Sequence, residues 1–297
     1  MHIVKPQHQT PSVMNCPMLQ IVQGCTHNKC HFCDIFRDIS FCKSPLHEIE
    51  EDLDELARII RPNQQRINLT GGNPYALSCE QLVPILELVK QKLPSITSFG
   101  GFCRIADIQN KTDDELALLA SYGVNDLSIG AESGYDPALS FMEKGHTAAD
   151  IVEQGQRMHK AGIDFTFFYL VGMAGAGAGQ ENAIATAKAF SAAGPGHVLI
   201  VCITPTKGWP LAKDIQAGLW EPPSEIEMIE EIRTFVEHLD CKTYVNCSHD
   251  TDIVRFEGMV PKDQQNMLLL IDDRLPKINP VAARKMREMI HKARFAG

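Results

Sequence analysis

Six strand-like runs precede residue 206, each of the first five is followed by a segment with apolar residues at helical spacing, and that alternation admits few folds. The first strand-like run is PMLQIV, Pro17 to Val22, and the helix PLHEIEEDLDELARIIR follows with Ile49, Leu53, Leu56 and Ile60 on one face. RINLT is the second strand, and its helix opens at Ser78, with Gln81 completing a capping box. The strand around SFGGFCRIAD precedes a helix opened by Thr112 and Glu115, DLSIGA precedes a helix from Thr147, and IDFTFFYLVG precedes QENAIATAKAF. VLIVCITP is the sixth strand. No Pro/Gly/Ser-rich linker divides these units, so they belong to one parallel sheet, either curled into a barrel or open and doubly wound; periodicity alone does not separate the two.

After Trp220 the pattern changes. A charged helix opens at Ser224 (SEIEMIEEIRTFVEHL), KTYVNC reads as a short strand, and PKDQQNMLLLIDDRL and NPVAARKMREMIHKARF read as helices. We therefore expect a core over 1–220 and a mainly helical C-terminal extension over 221–297 packed on it. With 297 residues, 44% hydrophobic and 22% charged, the chain has the composition of an ordinary globular protein, and no apolar run approaches the roughly 20 residues of a membrane span. The N-terminal MHIVKPQHQTPSV lacks the apolar stretch of a secretory leader, so a cytoplasmic setting with reduced thiols is expected. A net charge of -9 argues against a broad phosphate-binding surface, and neither a membrane nor a nucleic acid is expected as a partner.

Ten cysteines are too few for a disulfide scaffold in a chain this long, and three of them are clustered. GCTHNKCHFC places Cys25, Cys30 and Cys33 as C-x4-C-x2-C directly after the first strand, at the strand end where parallel α/β folds build their sites. Three close thiolates suit an iron-sulfur cluster whose fourth iron is left open to a small molecule. A zinc site would recruit His27, His31, Cys16 or Cys42 as a fourth donor, and a thioredoxin-like pair would use Cys30 and Cys33 alone. His27 and His31 could also tune a cluster through hydrogen bonds. Most of the other cysteines, such as Cys103 and Cys202 in apolar runs, read as small core residues.

Further motifs follow in order. Thr70-Gly-Gly-Asn-Pro74 ends the second strand with two glycines that permit close backbone approach. Arg104 and Glu132 end the third and fourth strands, where a structural ion pair between them is one reading. Lys144 lies in FMEKGHT, and Gly172 to Gly179 (GMAGAGAG) joins the fifth strand to a helix without the G-x-G-x-x-G spacing of a dinucleotide cradle.

Together these stretches resemble the radical S-adenosylmethionine (radical SAM) enzymes, over roughly residues 15 to 220. The usual signature of that family is C-x3-C-x2-C with an aromatic before the last cysteine. Here the aromatic is Phe32 and the first gap holds one extra residue, an atypical spacing. The resemblance implies a partial parallel (β/α)6 TIM-like barrel of the stand-alone core type, with a 4Fe-4S cluster on Cys25, Cys30 and Cys33 and S-adenosylmethionine (SAM) on the open iron. It implies that Gly71, Gly72 and Asn73 receive the SAM amino group. Asn73 replaces an acidic residue, so backbone carbonyls are the expected contact. The resemblance to oxygen-independent coproporphyrinogen oxidases implies that Arg104 and Glu132 meet the ribose and methionyl part, and Lys144 the carboxylate. Met173 would flank the adenine, with Thr204 and Pro205 as another wall. Reductive cleavage of SAM to a 5'-deoxyadenosyl radical and hydrogen abstraction from a small-molecule substrate are the implied chemistry, with a flavodoxin or ferredoxin as electron donor. No N-terminal cobalamin domain and no cysteine-rich tail for further clusters are expected, and no catalytic side chain is singled out. Cys247 and His249 in YVNCSHD are candidates to face the substrate.

Overall fold

In the computed structural model of the chain, eight strands line up in a mostly parallel sheet in the order β1 (Met18–Gln20), β4 (Arg66–Thr70), β5 (Ser98–Cys103), β6 (Val124–Glu132), β7 (Phe165–Val171), β8 (His197–Cys202), β9 (Thr243–Cys247) and β10 (Phe256–Val260), and two short strands, β2 (Val22–Gln23) and β3 (Cys42–Lys43), pair separately. The structure describes residues 1–3, 16–205 and 208–295. Most of the N-terminal stretch read for a leader lies outside them. Contacts divide the chain into two compact units.

The first unit comprises Met1–Asn28, Ile35–Gly130 and Arg157–Phe165. It holds β1 (Met18–Gln20), β2 (Val22–Gln23), β3 (Cys42–Lys43), α1 (Leu46–Ile59), β4 (Arg66–Thr70), α2 (Cys79–Lys92), β5 (Ser98–Cys103), α3 (Ile105–Gln109), α4 (Asp113–Ser121) and most of β6 (Val124–Glu132). Parallel register pairs Leu19 with Leu69, Ile67 with Phe99, and Cys103 with Ile129. Leu19, Ile67, Leu69, Phe99 and Ile129 are completely buried, the near-continuous apolar content that a parallel sheet covered on both faces demands. Helix α1 turns Ile49, Leu53 and Leu56 inward, as its spacing predicts, while Ile60 lies just past its end. The capping boxes at Ser78 and Thr112 form as read; Thr112 Oγ1 accepts from Glu115 N at 3.2 Å while its own N–H donates to Glu115.

Two strands of this unit differ from the reading. PMLQIV is split: Met18–Gln20 pairs with β4, whereas Val22–Gln23 turns away and pairs antiparallel with Cys42–Lys43. This small ribbon brackets the cysteine-bearing segment. The third strand stops at Cys103, because the Asp107 carboxylate accepts the Arg104 N–H at 2.8 Å and starts a short helix there.

The second unit comprises Lys29–Asp34, Ala131–Gln156 and Thr166–Gly297. It holds α5 (Asp136–Phe141), most of β7 (Phe165–Val171), α7 (Gly179–Ala193), β8 (His197–Cys202), α8 (Leu211–Gln216), α9 (Glu225–His238), β9 (Thr243–Cys247), β10 (Phe256–Val260), α10 (Gln264–Arg274) and α11 (Pro280–Phe295), while α6 (Ala148–Ala161) begins in this unit and ends in the other. KTYVNC is a strand as read, but it extends the parallel sheet beside β8, and β10 closes the edge antiparallel to it. The sheet thus gains two strands beyond the six βα units.

A buried polar node holds α9 against the end of β7. The Glu231 carboxylate accepts from Tyr169 Oη at 2.7 Å, from Asn182 Nδ2 at 2.7 Å and from the Gly172 N–H at 3.1 Å. Asn182 in turn accepts from Ser133 Oγ at 2.6 Å, which ties in the turn after β6. Around this node Tyr169, Phe190 and Phe235 pack with centroids 4.5 to 6.3 Å apart, a separation at which aromatic pairs attract. Burial pushes the Glu231 carboxyl up to about 7, against the lowering effect of its three donors.

A carboxyl that holds its proton more tightly when folded stabilises the fold fully below its unfolded pKa, and loses that contribution as pH rises toward the folded value. Equilibrium unfolding between pH 4.5 and 7 is therefore expected to show stability falling with pH. The Glu231 share is on the order of 3 kcal/mol for a shift from 4.5 to about 7, at roughly 1.4 kcal/mol per unit. Glu231→Gln should flatten the profile by that amount, and an unchanged slope would contradict this account of the node.

Candidate functional site

In the first unit, the end of β4 meets the start of the cysteine-bearing segment with no side chain between them. Gly71 and Gly72 have φ of +111° and +130°, and a Cβ on either would lie 1.7 Å from the Val22 carbonyl oxygen or 1.8 Å from that of Gly24. Only glycine allows this approach and this backbone conformation. The Gly-Gly motif thus packs directly on the residue before Cys25.

Asn73 then fixes the next residue of the segment. Its Oδ1 accepts from Thr26 N at 3.0 Å, and its Nδ2 donates to Thr26 Oγ1 at 2.8 Å and to the Asp107 carboxylate at 2.9 and 3.0 Å. Burial raises the Asp107 carboxyl, opposed by the Arg104 N–H and by Asn73. This explains why an amide replaces the acidic residue: a second carboxylate here would donate nothing to Asp107 and would repel it. Arg104 is joined to Asn73 through Asp107. Asn28 has a φ of +51° and its side chain donates to the Phe36 carbonyl at 2.6 Å.

In the second unit, residues 29–34 are docked on α8 and on the turn after α5. His31 N donates to the Met142 carbonyl at 3.1 Å, the His31 carbonyl accepts from Leu211 N at 3.0 Å, and Nδ1 lies 2.8 Å from Asp214 Oδ2. Trp209 Nε1 donates to Asp34 at 3.2 Å, and the Cys30 sulfur lies 3.9 Å from the Glu143 carbonyl oxygen. Phe32, Lys144 and Glu132 come together: the Lys144 ammonium sits 5.5 Å from the Phe32 ring centroid and 3.2 Å from Glu132 Oε1. Lys144 is thus an ion-pair partner of Glu132, and it is only 6% exposed.

Met173 is buried, and its carbonyl accepts from Trp220 Nε1 at 3.3 Å. Thr204 and Pro205 line a cavity of about 170 Å³ with Ile203, Arg284 and Arg287. Arg287 donates to the Ile203 carbonyl at 3.1 Å and pairs with buried Glu225 at 3.2 Å. Cys247 is fully buried against the Val254 carbonyl, 3.2 Å from its sulfur, and so does not face an open cavity; His249 Nδ1 lies 2.8 Å from Thr251 Oγ1. Cys103 and Cys202 are buried, as read.

Asp107, Thr26, Asp214 and Trp209 escaped the sequence reading. Asp107 alone left a signal, as a lone acid in the apolar stretch FCRIADI that needed a buried partner.

The donor set can be weighed against an iron-sulfur cluster. Cys25, Cys30 and Cys33 form no disulfide and are partly exposed. Among the described residues, no three His, Cys, Asp or Glu side chains converge as a single ion would require. A zinc ion needs four donors around one centre, whereas thiolates on a cubane each meet a different iron. Three free thiols on one short segment, the first of them next to the residue that Gly72 packs on, are the donor chemistry that such a cluster needs.

Comparison with known proteins agrees. The sequence profile of the Radical SAM superfamily matches residues 19–187, and the chain belongs to that superfamily. It is accordingly an enzyme of the radical SAM class, whose members bind a 4Fe-4S cluster and SAM. The heme chaperone HemW of Bacillus subtilis (strain 168) is 26% identical over 140 residues, 46% of this chain and 37% of that protein. HemW of Lactococcus lactis subsp. lactis (strain IL1403) is 26% identical over 141 residues, 47% of this chain and 36% of that protein. The chain thus matches little more than a third of the length of these relatives. Methylornithine synthase (PylB) superposes with a TM-score of 0.54 at 19% identity, covering 86% of this chain and 68% of its own. Methanocaldococcus infernus Elp3 does so with 0.54 at 15%, covering 88% and 63%. These two show the shared fold. No helix among the described residues is long and apolar enough to cross a membrane.

The Asn73–Asp107 tie makes a reciprocal prediction. Asn73→Asp should destabilise the apoprotein by roughly 2–3 kcal/mol, a loss of several degrees in Tm, because two buried carboxylates then share one site. The swap Asn73→Asp with Asp107→Asn should recover most of that loss in calorimetry. A single variant as stable as wild type would contradict the tie.

Proposed function

We propose that this enzyme is an oxidoreductase that holds one 4Fe-4S cluster on Cys25, Cys30 and Cys33. In this reading it cleaves SAM reductively, and the 5'-deoxyadenosyl radical takes a hydrogen atom from a small-molecule substrate. The observation that carries the reading is the backbone contact of Gly72 on Gly24, which sets the Gly-Gly motif against the residue before Cys25 in a chain of this superfamily. When bound, the cluster supplies the electron that breaks a carbon–sulfur bond of SAM.

The chain's own residues bind and orient. Carbonyls around Gly71 and Gly72 receive the SAM amino group, while the Asn73 side chain is engaged with Thr26 and Asp107 and stiffens the segment after Cys25. Lys144, held by Glu132 and by the ring of Phe32, offers a cation for the SAM carboxylate. Arg104 and Glu132 serve the ribose and methionyl part, and Met173, Thr204 and Pro205 wall the adenine. Residues 1–220 form the catalytic core and 221–297 an extension on it. The setting is the reducing cytoplasm, and the electron comes from a flavodoxin or ferredoxin. Haem is the first small molecule to test as substrate, because two curated relatives are haem chaperones.

Anaerobic reconstitution tests the reading. About four irons per chain, brown absorbance and 5'-deoxyadenosine after dithionite and SAM are expected, and Cys30→Ala should lose the iron. A colourless zinc protein would overturn the proposal, and a cluster that leaves SAM intact would mark an iron-sulfur redox sensor instead.

A further inference from the structure

The extra residue between Cys25 and Cys30 has a structural answer at Asn28. Among the described residues of 25–33, Asn28 is the one with a positive φ, +51°, a left-handed conformation that Asn and Gly adopt far more readily than other residues. Its side chain and backbone are both engaged. Asn28 Nδ2 donates to the carbonyls of Phe36, at 2.6 Å, and of Arg37, at 3.3 Å, while Arg37 Nη1 donates back to the Asn28 carbonyl at 2.8 Å. The Phe36 carbonyl also accepts from Ile39 N at 3.0 Å, so the far side of the clasp is itself a turn.

We propose that Asn28 and Arg37 are positioning residues for the cluster: their reciprocal clasp stores the additional residue as one left-handed turn and so sets the direction in which the chain leaves Cys25. The proposal rests on the cluster assignment above. It explains an otherwise awkward spacing by residue chemistry. Asparagine supplies both the tolerated φ and an amide with two donors; arginine supplies a planar donor long enough to reach back to the backbone it closes. Lys29, next in sequence, is exposed and has neither feature.

The test compares full-length wild type with Asn28→Gly, Asn28→Val, Arg37→Ala and Arg37→Lys after anaerobic reconstitution. It reads iron per chain, the rate of iron loss to a chelator, the electron paramagnetic resonance (EPR) line shape of the reduced cluster, and the apoprotein Tm. Asn28→Val should lose iron roughly five- to thirty-fold faster than wild type, since a branched side chain resists the left-handed region. Asn28→Gly keeps that backbone and should recover most of the retention, while Arg37→Ala should fall near Asn28→Val, with Arg37→Lys between it and wild type. EPR lines should broaden in the fast-losing variants while the apoprotein Tm stays within a few degrees of wild type. Iron retention and line shape equal to wild type in both Asn28→Val and Arg37→Ala would overturn the clasp while leaving the cluster assignment standing. Wild type without iron would overturn both.

Discussion

Everything proposed for this chain depends on one steric fact: two consecutive glycines at the end of β4 press on the carbonyl oxygens of Val22 and Gly24, at distances that no Cβ could survive. A parallel pairing of β1 with β4 brings the two strand ends level, and the missing side chains let the backbones touch. The cysteine-bearing segment therefore starts from a fixed point. The β2–β3 ribbon closes the same segment at its other end.

Rigidity beyond that point comes from polar groups that are buried and fully used. Asn73 spends both its donor and its acceptor on Thr26 and Asp107. Glu231 gathers Tyr169, Asn182 and the Gly172 N–H in the second unit, and so makes a helix of the C-terminal region part of the support for the Gly172–Met173 turn. Each node works because burying any one member without the others would cost more than the hydrogen bonds return. Each satisfied network fixes the strand end it holds within its own unit.

The sequence made the βα units legible because their signals are local. Caps at Ser78, Thr112 and Ser224 and the apolar spacing of α1 depend on neighbours within a few residues. What it hid was short or distant. Strands β2 and β3 are two residues long, and although β10 alternates inward and outward, its central inward position is Gly258 and Met259 points the other way, so the residue types mask the period. Helix α8, six residues after Pro210, is equally mute. The Gly-Gly motif could be read from composition, but the Asn73–Asp107 bond joins residues 34 apart and His31–Asp214 joins residues 183 apart, separations at which no spacing rule applies. The reason for Asn73 in place of an acid was therefore visible only once Asp107 was seen beside it.

The central claim is that the three loop thiolates leave one iron open for SAM. EPR spectroscopy of the dithionite-reduced, reconstituted protein, recorded with and without SAM, addresses it directly. The account predicts that SAM shifts the g-values of the reduced cluster, because SAM would bind at the iron that no cysteine holds. An intact four-iron cluster whose spectrum is the same with saturating SAM would contradict it.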